Sequence, residues 1–166
     1  MALRDDFSDP ASGDLRSRKG APSRVDLNNR LFFRLFQSAN IYETQAVWAF
    51  SISAAQGAML GALSRGPDGM PLAELSAYLS VSRQNTHVLL KRLEHAGLVE
   101  RVESAPDRRK RTVRLTKAGL AAWKDLKRRT VGFFRRGTAG LSSEDVERCA
   151  QTLARIGRSL KAMRDG

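Results

Sequence analysis

The chain has 166 residues, 42% of them hydrophobic, and sets 29 Lys and Arg against 17 Asp and Glu for a formal charge of +12. That length suits one domain with a tail and a sizeable core, and the cation excess favours a polyanion as partner, nucleic acid before an acidic membrane surface. No apolar run reaches the roughly 18 residues of a bilayer span, no signal-peptide stretch opens the chain, and the one cysteine, Cys149, cannot form an internal disulfide, as suits a cytoplasmic protein.

Residues 1–24 are polar and broken by Pro10, Gly13, Gly20 and Pro22, with Asp5, Asp6, Asp9 and Asp14 mixed among Arg16, Arg18, Lys19 and Arg24. Little apolar area offsets the entropy of ordering, so a disordered tail is expected. It is either a solvated leader or an arm tracking DNA phosphates. Over residues 25–52 apolar side chains recur at helical spacing: Leu27, Leu31, Leu35, Ala39, Tyr42 and Ala46. Phe32, Phe33, Phe36, Ile41, Val47 and Trp48 widen the stripe beyond one face. A helix apolar on most sides is buried on more than one side, here against a second subunit.

Residues 53–119 carry the most specific pattern. Ser53 is placed to cap a helix running through Gln56, Met59, Leu60 and Leu63, and Gly66-Pro67-Asp68-Gly69 is a strong turn signal. A short helix over Pro71–Leu79 turns Leu72, Leu75 and Leu79 inward. Ser80-Val81-Ser82 then makes a tight turn, with Ser82 as N-cap of a second helix. In that helix Thr86, Leu89, Leu90 and Leu93 fall on one buried face. The opposite face shows Arg83, Gln84, Asn85, His87 and Lys91, rich in donors and short of carboxylates. Gly97 stops it. Leu98–Val102 and Thr112–Leu115 read as paired strands. Between them the loop Ser104–Arg111 carries Asp107, Arg108, Arg109, Lys110 and Arg111. Helix, turn, helix and basic hairpin make a winged helix-turn-helix that reads DNA.

Residues 120–166 are helical again. Leu120, Trp123, Leu126, Thr130 and Phe133 lie on one side of a helix expected from Thr116 to about Arg136, and Gly137–Gly140 ends it. Ser142 with Asp145 forms a capping-box start. Val146, Cys149, Leu153, Ile156, Leu160 and Met163 then alternate spacings of three and four, a heptad seam suited to a dimer. Cys149 on that seam reads as a small interface hydrophobe rather than a redox switch. The expected fold is mainly α with a small β-hairpin wing, a winged helix-turn-helix flanked by N- and C-terminal dimerisation helices.

Several stretches resemble the MarR family of bacterial transcription regulators. They are Leu72-Ala-Glu-Leu, Val81-Ser-Arg, Arg92-Leu-Glu-His-Ala-Gly-Leu-Val, Asp107-Arg-Arg and Leu115-Thr-Lys-Ala-Gly, in that order, within a similarity covering roughly Leu27–Met163. The resemblance implies an obligate homodimer, a palindromic operator on double-stranded DNA, and a small effector held between dimerisation and DNA-binding regions. It also implies that Asp107 orients a wing arginine. Gln84, Asn85 and His87 stand where the family commonly has small Ser or Thr, and Pro71 stands where it often has a capping Ser or Thr.

Gln84 and Asn85 have the donor–acceptor pair that matches adenine N6 and N7, and Arg83 suits guanine or a phosphate. Ser82, His87 and Lys91 complete that surface. Arg108 and Arg109 suit a narrow minor groove, with Lys110 and Arg111 neutralising phosphates. By analogy an effector would sit among Asn40, Tyr42, Trp48, Met59 and Phe133. An aromatic lining with a polar group suits an aromatic acid, and the positive charge would also suit its acyl-coenzyme A thioester. The scattered His87, His95 and Cys149 offer no metal cluster, no glycine-rich phosphate loop is present, and no catalytic carboxylate pair can be placed. The expectation is therefore a cytoplasmic, nucleoid-associated repressor without enzymatic activity or cofactor. The alternative is an architectural nucleoid protein that binds DNA with little regard to sequence.

Overall fold

The computed structural model describes residues 21–103 and 111–163. Two compact units divide the chain, residues 1–55 and 56–166.

The first unit is dominated by α1, Arg24–Phe50. A reciprocal capping box starts it: Ser23 Oγ accepts from the Asp26 N–H at 3.1 Å, and the Asp26 carboxylate accepts the Ser23 N–H at 3.2 Å. Two orphan donors are thereby satisfied, and the helix begins one residue earlier than the apolar pattern suggests. It ends at Ser51, in the left-handed region at φ 59°, whose N–H donates to the Val47 carbonyl at 2.9 Å. Glu43 accepts the Ala54 N–H at 2.9 Å, which ties the following turn back to the helix. Of the apolar side chains along α1, Ala46 is buried, whereas Phe32, Phe33, Phe36, Ile41, Val47 and Trp48 are exposed.

The second unit takes in most of α2 (Ala54–Leu63), then β1 (Met70–Pro71), α3 (Leu72–Leu79), α4 (Arg83–His95), β2 (Val99–Glu103), β3 (Arg111–Leu115), α5 (Lys117–Gly137) and α6 (Ser143–Ala162). Its core holds Met59, Leu60, Leu63, Leu75, Leu90, Leu93, Val99, Val113 and Leu126. The three strands form an antiparallel sheet in the order β1-β3-β2. Val99 lies opposite Leu115 and Glu103 opposite Arg111, so the hairpin register is fixed along its length. The edge strand β1 goes beyond the sequence expectation, which placed Pro71 in a helix. Two residues are too few to show alternation, and proline, lacking an N–H, is tolerated only at such an edge.

Two close approaches set the geometry. Gly69, at φ +84°, closes the turn before β1, and a β-carbon there would lie 2.5 Å from the Val113 carbonyl oxygen. Gly119, in the first turn of α5, passes so near Leu98 that a β-carbon would lie 1.8 Å from its carbonyl oxygen. Beside it, Thr116 caps α5: its hydroxyl accepts from the Gly119 N–H at 3.0 Å and donates to the Gly97 carbonyl at 2.7 Å. The Thr116 N–H donates to Leu98 at 3.1 Å. The Leu-Thr-Lys-Ala-Gly stretch is thus a clamp joining the end of α4, the sheet and the start of α5.

At the C-terminal end, Ser142 and Asp145 form a second capping box, and those hydrogen bonds hold the Asp145 carboxyl below its ordinary pKa. On α6 the expected seam is uncovered: Ile156 is half-buried, while Val146, Cys149, Leu153, Leu160 and Met163 are exposed. No single described helix is long and apolar enough to cross a membrane.

Candidate nucleic-acid interface

The turn between α3 and α4 is set by Ser80, which occupies the left-handed region at φ 55°. The Ser80 N–H donates to the Ala77 carbonyl and the Val81 N–H to Ser76, closing α3 and redirecting the chain within three residues. Ser82 then caps α4, accepting the Asn85 N–H at 3.2 Å, as its sequence position predicts. Thr86 is fully buried, and its hydroxyl donates to the Ser82 carbonyl at 3.0 Å. Leu90 and Leu93 are buried behind it and Leu89 is half-buried, which fixes the rotation of the helix.

That rotation leaves Arg83, Gln84, Asn85, His87 and Lys91 exposed together with the N-cap Ser82. It also exposes Val88, Arg92 and His95, which the sequence reading did not assign to this surface. For Val88 and His95 the signal is periodic: Gln84, Val88, Lys91 and His95 alternate spacings of four and three, half a turn away from Thr86, Leu90 and Leu93. Glu94, the single carboxylate on α4, is held by Arg101 of β2 through Nε at 2.7 Å and Nη2 at 3.4 Å. Apart from Val88, the exposed face of α4 is thereby left to donors and cations.

At the C-terminal end of α4, the Gly97 N–H donates to Glu94 and the Leu98 N–H to Leu93, with Gly97 at φ +69°. This Schellman arrangement consumes Leu98, so the strand expected from Leu98 starts at Val99 instead. On the sheet, Arg114 of β3 reaches Glu100 directly across the register at 2.7 Å. The hairpin is therefore tied across its own strands and, through Arg101, to α4. Asp107, Arg108, Arg109 and Lys110 lie outside the described residues, as does the side chain of Arg111, although its backbone opens β3 opposite Glu103.

The five residues expected around an effector fall on different elements. Asn40, Tyr42 and Trp48 are exposed on α1 in the first unit, Trp48 at 84%. Partial desolvation, and then the Glu43 charge, push the Tyr42 hydroxyl above its ordinary pKa. In the second unit Met59 is fully enclosed in the core, and Phe133 packs edge-on to Phe134 at 5.7 Å. A different cleft of about 430 Å³ opens between α2, α3 and α5. Arg65, Tyr78, Trp123 and Lys127 line it with Gly61 and Ala62, and among the described residues no carboxylate does. The Arg65 guanidinium lies 5.2 Å from the Tyr78 ring centroid. Trp123 and Lys127 lie one turn apart on α5, but Arg65 follows α2 and Tyr78 lies on α3, so no single local pattern announces the set. Among the described residues no group of three His, Cys, Asp or Glu is placed to hold a metal.

Residues 50–110 match a family model described as MarR family. The chain is also 38% identical over 152 residues to the transcriptional activatory protein BadR of Rhodopseudomonas palustris, a similarity spanning 88% of this chain and 87% of that protein. The chain belongs to the MarR family. It is a DNA-binding transcription regulator with a winged helix, and not an enzyme. Solved structures share the fold. A probable transcriptional regulator from Pseudomonas aeruginosa superposes with a TM-score of 0.71 at 23% identity, covering 78% of this chain and 98% of that one. The transcriptional repressor CouR, bound to a 23-mer DNA duplex, gives 0.71 at 24% identity, covering 83% and 99%. The Staphylococcus aureus MepR–DNA complex gives 0.65 at 23% identity, covering 79% and 96%.

Proposed function

We propose that this MarR-family chain is a ligand-responsive repressor that binds a palindromic operator as a homodimer and is released by a small aromatic acid or its coenzyme A thioester. The observation that carries the DNA-reading part is the face of α4. Its core side is locked by Thr86, Leu90 and Leu93, its one carboxylate is taken by Arg101, and its remaining face is polar and cationic apart from Val88. In this reading α4 lies in the major groove. Gln84 and Asn85 read adenine edges, and Arg83 reads guanine or a phosphate. Ser82, His87 and Lys91 fix the register on the backbone. Arg108 and Arg109 enter the minor groove beside the hairpin, with Asp107 orienting one of them, while Lys110 and Arg111 neutralise phosphates.

The uncovered seam on α6 and the exposed aromatic residues of α1 support a dimer, since both need an apolar partner in water. One α4 reads a half-site and two make the site palindromic. For the effector, the cleft lined by Arg65, Tyr78, Trp123 and Lys127 supports an anionic aromatic ligand: the rings offer flat apolar walls and the cations a carboxylate or phosphate anchor. Asn40, Tyr42, Trp48, Met59 and Phe133, the residues expected from the sequence, are the alternative effector contacts. Release follows if the ligand binds a dimer whose two α4 helices are spaced wrongly for DNA. The name of BadR favours a second reading, activation from a site upstream of the promoter, with the same dimer and the same DNA contacts. A protein working on chromosomal DNA would reside in the cytoplasm, on the nucleoid.

The test is a gel shift with a duplex that the protein itself selects from a random library, run with and without a hydroxybenzoic acid and its coenzyme A thioester. Sedimentation of the wild type and Leu153→Glu accompanies it. The proposal expects a dimer on one duplex, loss of the shift with one of the ligands, and a monomeric, weakly binding L153E. A monomer bound at full affinity, or no response to either ligand, counts against it. Transcription in vitro from a promoter overlapping the site then separates repression from activation.

A further inference from the structure

The outward stripe of α4 contains one apolar residue. Val88 is 47% exposed, one turn after Gln84 and one turn before Lys91, on the side facing away from Thr86, Leu90 and Leu93. A solitary exposed valine elsewhere would need no explanation. Here the neighbours on the stripe are all hydrogen-bonding or charged, and the side chain cannot turn inward because the core face is already filled. A β-branched residue in a helix is also nearly fixed in one χ1 rotamer. Val88 is therefore a rigid apolar knob at the centre of a donor-rich surface.

Major-groove edges present one apolar feature, the C5-methyl of thymine. Gln84 and Val88 are separated by about 6 Å along the helix axis, close to two base-pair steps of about 3.4 Å each. A helix that sets Gln84 against an adenine edge thus carries Val88 to a base pair about two steps away. We propose that Val88 reads a thymine methyl there and so fixes one T·A pair in each half-site. The inference rests on α4 entering the major groove. It adds a contact that no hydrogen-bonding residue supplies, with its own chemical signature.

The experiment replaces thymines one at a time by deoxyuridine, which removes the C5-methyl and nothing else, in a duplex selected by the full-length protein from a random library. Wild type and Val88→Ala are compared on every duplex. Burial of one methyl-sized group corresponds to about fourfold in affinity, and about fifteenfold when both half-sites are changed. One thymine per half-site is expected to show that loss with the wild type and none with V88A, which should melt like the wild type because the side chain is exposed. Selection of a defined sequence with no such thymine, or a loss that persists undiminished in V88A, overturns the inference alone. Failure to select any sequence overturns the DNA-reading assignment and this inference with it.

Discussion

At the scale of single residues, much of the fold hangs on places where a side chain is forbidden or a hydroxyl is used twice. Gly119 leaves no room for a β-carbon, since Leu98 backbone occupies that space. Gly132 sits in the same helix with only the Arg136 guanidinium at 4.0 Å from such an atom. Gly119→Ala is expected to force the clamp between α5 and the sheet apart, with a loss of about 3 kcal/mol or more, at the high end for point substitutions. Gly132→Ala is expected to stabilise by about 0.5–1 kcal/mol through helix propensity alone. Urea unfolding of both variants checks the pair, and equal effects would contradict the clamp. In the sequence Gly119 was visible only as part of a familiar string; its physical reason lies in Leu98, twenty-one positions earlier, where no local pattern points.

At the scale of elements, α4 was legible because three signals agree on it: a capping Ser82, apolar residues at helical spacing, and a glycine stop. The hairpin was legible from two short apolar strands flanking a basic loop. Strand β1 was not, because two residues ending in proline carry no periodicity. The packing around the residues expected near an effector was not either. Met59 and Trp48 are both large apolar residues on helical stripes, yet one is fully enclosed and the other lies almost wholly in water. Spacing reports a face, and only packing decides what covers it. The Arg101–Glu94 pair was equally silent, since it joins β2 to α4. Both side chains are about 30% exposed, 32% and 28%, so the pair contributes on the order of 0.2–1 kcal/mol to stability. Its larger consequence is geometric, because it sets the hairpin against α4. Glu94→Gln is expected to lower the melting temperature little and to weaken binding to the selected duplex by about twofold to fivefold, the most that a pair of this strength can contribute by holding the hairpin in place. Melting followed by fluorescence anisotropy reads both. An unchanged affinity would assign the pair to folding alone.

At the scale of the molecule, the charge of +12 brings the chain to DNA but does not choose a sequence. Attraction of that kind falls steeply with salt: if each subunit of a dimer neutralises about four phosphates, the log–log slope of affinity against salt is roughly −7. A purely architectural protein would show the same slope. On the proposed reading, what separates a regulator is the face of α4, where Arg83, Gln84, Asn85 and Val88 are exposed and the buried side of the same helix fixes their rotation. The deciding measurement is the ratio of affinities for the selected palindromic duplex and a scrambled duplex of equal length and composition, at one physiological salt concentration. A ratio of about 10³ or more, reduced sharply by Asn85→Ala, is predicted; equal affinities for the two duplexes would contradict the account.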